Sequence, residues 1–160
     1  MGIRRLNHAV LYVRDVARSV AFYRDVLGFR VTTEFPGAAF LRAADSDNDH
    51  DLGLFQVGME AAGQAPGAVG LYHLAWSVQT LPELAEFRRT LVAAGSLVGQ
   101  SDHGVSKSLY AKDPDGVEFE VSWFVPRDQV TAEMEQSSAP RPLDIDAEIA
   151  RWGTDVIGAV

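Results

Sequence analysis

The sequence predicts an α+β protein built from two copies of one βαβββ module, and three observations carry that prediction. Shifting the chain by 65 residues lays Leu6 on Leu71, His8 on His73, Val13 on Val78, Phe22 on Phe87 and Arg24 on Arg89, the self-similarity expected of a duplicated supersecondary unit. Each copy opens with a strand-like run centred on a histidine and continues into a segment with apolar residues at helical spacing. Three shorter β-like runs then follow, bounded by Gly, Asp and Pro.

In the first copy Asp15 is the expected N-cap. Val16, Val20, Tyr23 and Leu27 form the helical stripe and Gly28 ends it. The β-like runs are residues 29–34, 38–43 and 51–57, with a polar loop at 45–49. In the second copy Thr80 and Glu83 have capping-box spacing, Pro82 is tolerated in the first turn, Leu84, Phe87 and Leu91 make the stripe, and Gly95 closes it. Its β-like runs are 96–99, 106–111 and 117–124. The expected organisation is therefore a first module at 1–57, a Gly-, Ala- and Pro-rich linker at 58–70, a second module at 71–125, and a tail at 126–160. Within the tail, 136–142 reads as loop and 144–152 as a short helix. Leu143, Ile145, Ile149 and Trp152 give that helix an apolar stripe, which needs a dock because so short a helix is marginal alone. The dock is the chain's own sheet and helix layer or a partner subunit. The linker is long enough for the modules to pair within one chain or to swap between two.

Composition narrows the function. A formal charge of −8 argues against nucleic acid, which wants clustered Lys and Arg. With no cysteine there is neither a disulfide framework nor a thiolate metal site. The run after Arg4 and Arg5 is broken by His8, Arg14 and Asp15, so it reads as neither signal peptide nor membrane span. A cytoplasmic protein acting on a small molecule, without membrane or nucleic-acid partners, is expected.

Strand alternation selects the side chains that can meet. Leu6, His8, Val10 and Tyr12 share one face; Glu118, Glu120 and Ser122 share another, opposite the apolar Val117, Phe119, Val121 and Trp123. Glu120 thus points away from the helix layer. If the sheet curves, His8 and His73 enter its concave face from pseudo-symmetric positions. A lone histidine is usually a hydrogen-bonded core residue, but two at the same place in a repeat, with a carboxylate on a cavity-facing strand, make a three-ligand metal set. Imidazole and carboxylate together suit a divalent first-row ion.

The Leu-x-His-x-x-Leu/Trp-x-Val pattern at both strands, the run Phe22-Tyr23-Arg24-Asp25-Val26-Leu27-Gly28-Phe29, and Asp113-Pro114-Asp115-Gly116 followed by Glu120 resemble the vicinal oxygen chelate superfamily. That superfamily includes glyoxalase I, bleomycin- and fosfomycin-resistance proteins and extradiol ring-cleaving dioxygenases. The resemblance covers Ile3 to about Pro126. It implies paired βαβββ modules forming a half-open, curved mixed sheet around a divalent metal held by His8, His73 and Glu120.

Within that superfamily the chain is most similar to the type I extradiol dioxygenases. His50 stands where such enzymes carry an acid-base histidine, although they often have a His pair where this chain has Asp49-His50. His103 and Tyr110 fall where they place groups that contact substrate and oxygen. On these assignments no histidine is left over. Counterparts of Glu120 in the first copy fall at Phe55, Leu54 and Gly53, which cannot bind a metal; Gln56 is the nearby alternative. Glyoxalase-like members use four protein ligands, whereas two His and one carboxylate is the open pattern of non-haem Fe(II) oxygenases.

The resemblance therefore implies Fe(II)-dependent extradiol cleavage of a small aromatic diol with O2 by a homodimer or higher homo-oligomer. It gives His50 a proton-transfer role and has His103 and Tyr110 orient the substrate. The alternatives are a glyoxalase-like isomerase or lyase using Mn, Ni, Co or Zn, and a drug-sequestering resistance protein without turnover.

Overall fold

The structure, a computed structural model, describes residues 1–65, 67–136 and 139–159. Eight strands among the described residues fall in two four-stranded mixed sheets, one per βαβββ module. The chain divides into two compact units, the first comprising residues 1–68 with 114–116, the second 69–113 with 117 onward.

The first unit runs β1 (Ala9–Val13), α1 (Val16–Asp25), β2 (Arg30–Phe35), β3 (Ala38–Arg42) and β4 (Leu52–Gln56), in sheet order β1-β4-β3-β2. Asp15 caps α1, accepting a 2.9 Å hydrogen bond from the Arg18 N–H. Val16, Val20, Tyr23 and Leu27 are all buried. They meet the sheet face made by Leu11, Val13, Ala39, Leu41, Leu52 and Leu54, none more than 7% exposed. Each Val or Leu side chain among them taken from water contributes about 1.5–3 kcal/mol. The opposite face behaves differently, with Leu6, Val10, Tyr12, Phe35 and Phe55 exposed. His8 is not central to its strand as expected, because β1 begins at Ala9. Also within this unit, Asp115 accepts the Arg14 N–H at 2.9 Å and pairs with the Arg14 and Arg18 guanidinium groups.

The second unit runs β5 (His73–Ser77), α2 (Leu81–Ala93), β6 (Leu97–Asp102), β7 (Ser106–Lys112) and β8 (Glu118–Phe124), in order β5-β8-β7-β6. The Thr80–Glu83 capping box forms as predicted. Leu81, Leu84 and Leu91 of α2 are buried together with Leu109, Ala111, Phe119, Val121 and Trp123 of the sheet. The alternation read for β8 therefore holds. Here too the histidine is displaced from the strand centre, since His73 opens β5.

The tail adds a 3₁₀ turn (Arg127–Gln129), α3 (Ala132–Gln136) and α4 (Ile145–Trp152). The first two, of 3 and 5 residues, are too short to leave a periodic signal in the sequence. α4 forms where predicted, capped by Asp144, and packs on α2. Its dock is thus the chain's own helix layer, with the Trp152 ring 5.8 Å from that of Trp123. The chain then returns to the sheet, where Gly158 donates to the Gln79 carbonyl and Ala159 to that of Phe124. A Cβ at Gly158 would lie 2.8 Å from the Trp123 indole nitrogen, so this approach requires glycine.

Candidate metal centre and its neighbours

In the first unit His8 and His50 come together, their ring centroids 4.5 Å apart. Each imidazole is held by the residue before it. His8 Nδ1 lies 2.8 Å from Asn7 Oδ1, and His50 Nδ1 lies 2.9 Å from Asp49 Oδ2. A proton on Nδ1 engaged in this way leaves Nε2 with its lone pair, the form that binds a metal or accepts a proton.

The loop carrying His50 is organised by Asp51. Its carboxylate accepts from the Ala43 N–H at 2.8 Å, the Ser46 hydroxyl at 2.8 Å and the Asn48 amide at 2.6 Å. Asn48 also donates to the Asn7 carbonyl at 2.9 Å, linking this loop to the residue beside His8. Phe40 meets His50 edge-on at 4.8 Å and contacts Phe35 and Phe55. Together they form an aromatic surface on the face that carries Val10 and Tyr12.

This unit has no counterpart of Glu120. Glu120 pairs with Ala75 in the second sheet; the repeat equates Ala75 with Val10, and Val10 pairs with Gly53. A Cβ at Gly53 would press against the Phe40 ring at 3.3 Å. The Gln56 carboxamide accepts from the Val16 N–H at 3.1 Å, so it serves the start of α1.

In the second unit four of the predicted residues gather on one sheet face. His73 Nε2 is 3.1 Å from Glu120 Oε2, while the buried His73 Nδ1 has no hydrogen-bond partner. Glu120 Oε1 accepts from the Ser122 hydroxyl at 2.6 Å, and Ser122 is 3.0 Å from the Ser108 hydroxyl. Both serines are fully buried. This chain turns the second carboxylate oxygen toward His73. Tyr110 stands directly across from Glu120, and its hydroxyl is 2.8 Å from His103 Nε2. Burial, then the Glu120 carboxylate, push the Tyr110 phenol above the ordinary tyrosine value, against a lowering hydrogen bond from Ser108. Tyr110 is therefore a protonated hydrogen-bonding group throughout the neutral range.

His73 and Glu120 fit a divalent ion. Two donors about 2.1 Å from an ion and at right angles are about 3.0 Å apart, close to the separation of these two atoms. Among the described residues no three His, Asp or Glu side chains are gathered as ligands. Asn7, Asp49, Asp51, Ser108 and Ser122 escaped the sequence reading. For Asn7 and Asp49 the available signal was adjacency to a histidine. Ser122 was placed on the Glu120 face by alternation alone, whereas Ser108 becomes visible only through the pairing of β7 with β8.

The family model described as the glyoxalase/bleomycin resistance protein/dioxygenase superfamily matches residues 5–121. The chain belongs to that superfamily. Its relatives include the catechol-2,3-dioxygenase of Bacillus subtilis strain 168, 31% identical over 144 residues that cover 89% of this chain and 50% of that protein. The chain thus spans half the length of this relative. Biphenyl-2,3-diol 1,2-dioxygenase 3 of Rhodococcus globerulus is 34% identical over 133 residues, 79% of this chain and 68% of that one. Among solved structures, lactoylglutathione lyase from Agrobacterium tumefaciens aligns with a TM-score of 0.58 at 25% identity, over 76% of this chain and 95% of its own. The twofold βαβββ architecture is the superfamily's fold. No helix among the described residues is long and apolar enough to cross a membrane.

Proposed function

We propose that this superfamily member is an Fe(II)-dependent extradiol dioxygenase that cleaves a catechol-type ring with O2, its metal ligands being His8, His73 and Glu120. One observation carries the reading: the His103–Tyr110 pair lies beside the His73–Glu120 pair on a single sheet face. A ring-cleaving site needs hydrogen-bonding groups next to its metal ligands, and the His103–Tyr110 pair supports that reading of this face. The similarity to proteins named for catechol and biphenyl-diol oxidation supports the same reading.

Iron held by these ligands supplies Lewis acidity that lowers the pKa of a catechol hydroxyl, and a redox centre toward O2. The remaining work belongs to the chain. His50, with Nδ1 engaged by Asp49, accepts and returns a proton at Nε2. Tyr110 and His103 orient substrate oxygens through hydrogen bonds. Phe35, Phe40 and Phe55 offer the planar ring an apolar contact surface.

A second reading, a glyoxalase-like isomerase or lyase using Mn, Ni, Co or Zn, is favoured by the likeness to lactoylglutathione lyase. The use of Gln56 at the start of α1 opposes it, because that reading wants a fourth ligand. Metal analysis of protein purified without air, followed by turnover assays, decides between them. Iron with ring cleavage of a catechol is expected. Isomerase activity with another metal would overturn the proposal, as would metal-free protein that sequesters a ligand without turnover.

A further inference from the structure

We infer that the C-terminal tail is part of the catalytic apparatus: Arg141 and Glu148 are positioning residues that set His103 through a buried cluster with Asp102 and Lys107. This inference rests on the reading in which His103 serves the reaction.

His103 sits in the turn joining β6 to β7. The turn is closed by the His103 N–H to the Ser106 carbonyl at 2.9 Å and the Val105 N–H to the His103 carbonyl at 3.0 Å, with Gly104 at φ +78°. The residues on either side of it fix its shape. Asp102 Oδ1 accepts from the Gly104 N–H at 2.8 Å and from Lys107 Nζ at 2.5 Å, and Lys107 also donates to the Gly104 carbonyl at 3.1 Å. His103 lies between two residues so held, and its ring is placed by that backbone.

The tail supplies the rest of the cluster. Arg141 exchanges two backbone hydrogen bonds with Asp102, both 2.9 Å, and its guanidinium reaches Asp102 Oδ2 at 2.9 Å. Glu148 of α4 lies 3.3 Å from Lys107 Nζ and accepts the Trp152 indole N–H at 2.8 Å. Lys107 is completely buried. An ammonium in that position must have its donors satisfied and its charge opposed. Asp102 and the Gly104 carbonyl accept its hydrogen bonds, and Glu148 adds a second opposing charge. Without Glu148, Lys107 must move or draw more heavily on Asp102 and Gly104, the groups that define the turn. Arg141 and Glu148 both lie outside residues 5–121, the segment that the family model matches.

The test uses the full chain. Arg141 is half exposed, so Arg141→Ala should fold, and Glu148→Ala removes the second contact. Asp146→Ala, an exposed position on the same helix, is the control. In metal-free protein the side-chain ¹⁵N resonances of His103 should shift in the Arg141 and Glu148 variants and stay put in the control. In iron-loaded protein, kcat for a catechol should fall about ten- to a hundredfold with iron content retained, and Arg141→Lys should restore part of it. His103→Phe calibrates the assay. If that change leaves turnover intact, the catalytic reading of His103 fails. If His103→Phe slows turnover while Arg141→Ala shows parent-like His103 resonances and kcat, the tail has no positioning role and the inference is overturned.

Discussion

The two modules share an ancestry legible in the 65-residue repeat, yet they hold their histidines by opposite means. In the first, His8 is exposed and His50 is held at a loop edge, and each is oriented by its immediate neighbour, Asn7 or Asp49. In the second, His73 and Glu120 are half-buried; Ser122 holds Glu120 from two residues along the same strand, and the rest of the network comes from farther off in sequence: Ser108 on the paired strand, Tyr110 opposite, and His103 on a turn braced by the tail. A side chain oriented by its neighbour stays adaptable, whereas one embedded in a cross-strand network has its geometry set before any ligand arrives. The duplication has thus been divided into a pre-organised half, with the carboxylate, and an adaptable half, with His50, to which the proposed function gives the proton transfer. The position equivalent to Glu120 has become Gly53, over which Phe40 lies.

The largest expected effect tests whether both halves serve one ion. Replacing His8, His73 or Glu120 with Ala should abolish stoichiometric metal binding while circular dichroism shows the fold retained, because none of the three packs in the apolar core. If His8→Ala keeps its metal, the first half contributes no ligand and the comparison collapses. Next in size is His50→Gln, which should retain iron and catechol binding but slow ring cleavage by about 10²–10⁴-fold, the usual contribution of a general acid-base group. Parent-like single-turnover rates in that variant would reduce His50 to a surface residue.

Ser122→Ala sharpens the claim that the second half is pre-organised. It frees Glu120 Oε1 and removes one partner of the Ser108 hydroxyl, and metal affinity measured by titration calorimetry should weaken about 10- to 100-fold, as for other residues that orient a ligand. The analogous change behind His8, Asn7→Ala, should cost less, since the His8 ring is exposed and water can replace the amide.

The smallest effect concerns acid. Burial alone would raise the Asp102 carboxyl, but Lys107, the Gly104 N–H and Arg141 outweigh it and hold it below the ordinary aspartate value. A carboxyl depressed in the folded state stabilises that state above its unfolded pKa of about 3.9, and the stabilisation is lost as pH falls from there through the folded value. Lys107 and Arg141 are the charged groups paired with it, and Lys107 in turn meets Glu148. The tail should therefore loosen below about pH 4, reported by Trp152 fluorescence, and Asp102→Asn should flatten that step.

Much of this molecule follows from interactions spanning four residues or fewer. Asp15 and the Thr80–Glu83 box cap their helices, helical spacing selects the buried stripes, and alternation along β8 sends Glu120 to one face and Phe119, Val121 and Trp123 to the other. Those features are local, so the sequence alone determined them, together with the repeat and the set of residues worth suspecting. Tertiary structure decided what local rules cannot reach. The pairing of β7 with β8 brings Ser108 to Ser122 across 14 residues, and the tail crosses 39 residues to bring Arg141 to Asp102. Nothing near Lys107 in sequence announces a fully buried ammonium, and nothing near Gly158 announces an indole against its α-carbon. Gln56 could have been a ligand on spacing alone, and only the fold shows its carboxamide already engaged with the Val16 N–H. Such partnerships depend on which strands pair and in what register. That register is set by summed burial over whole sheets, and no single residue type carries it.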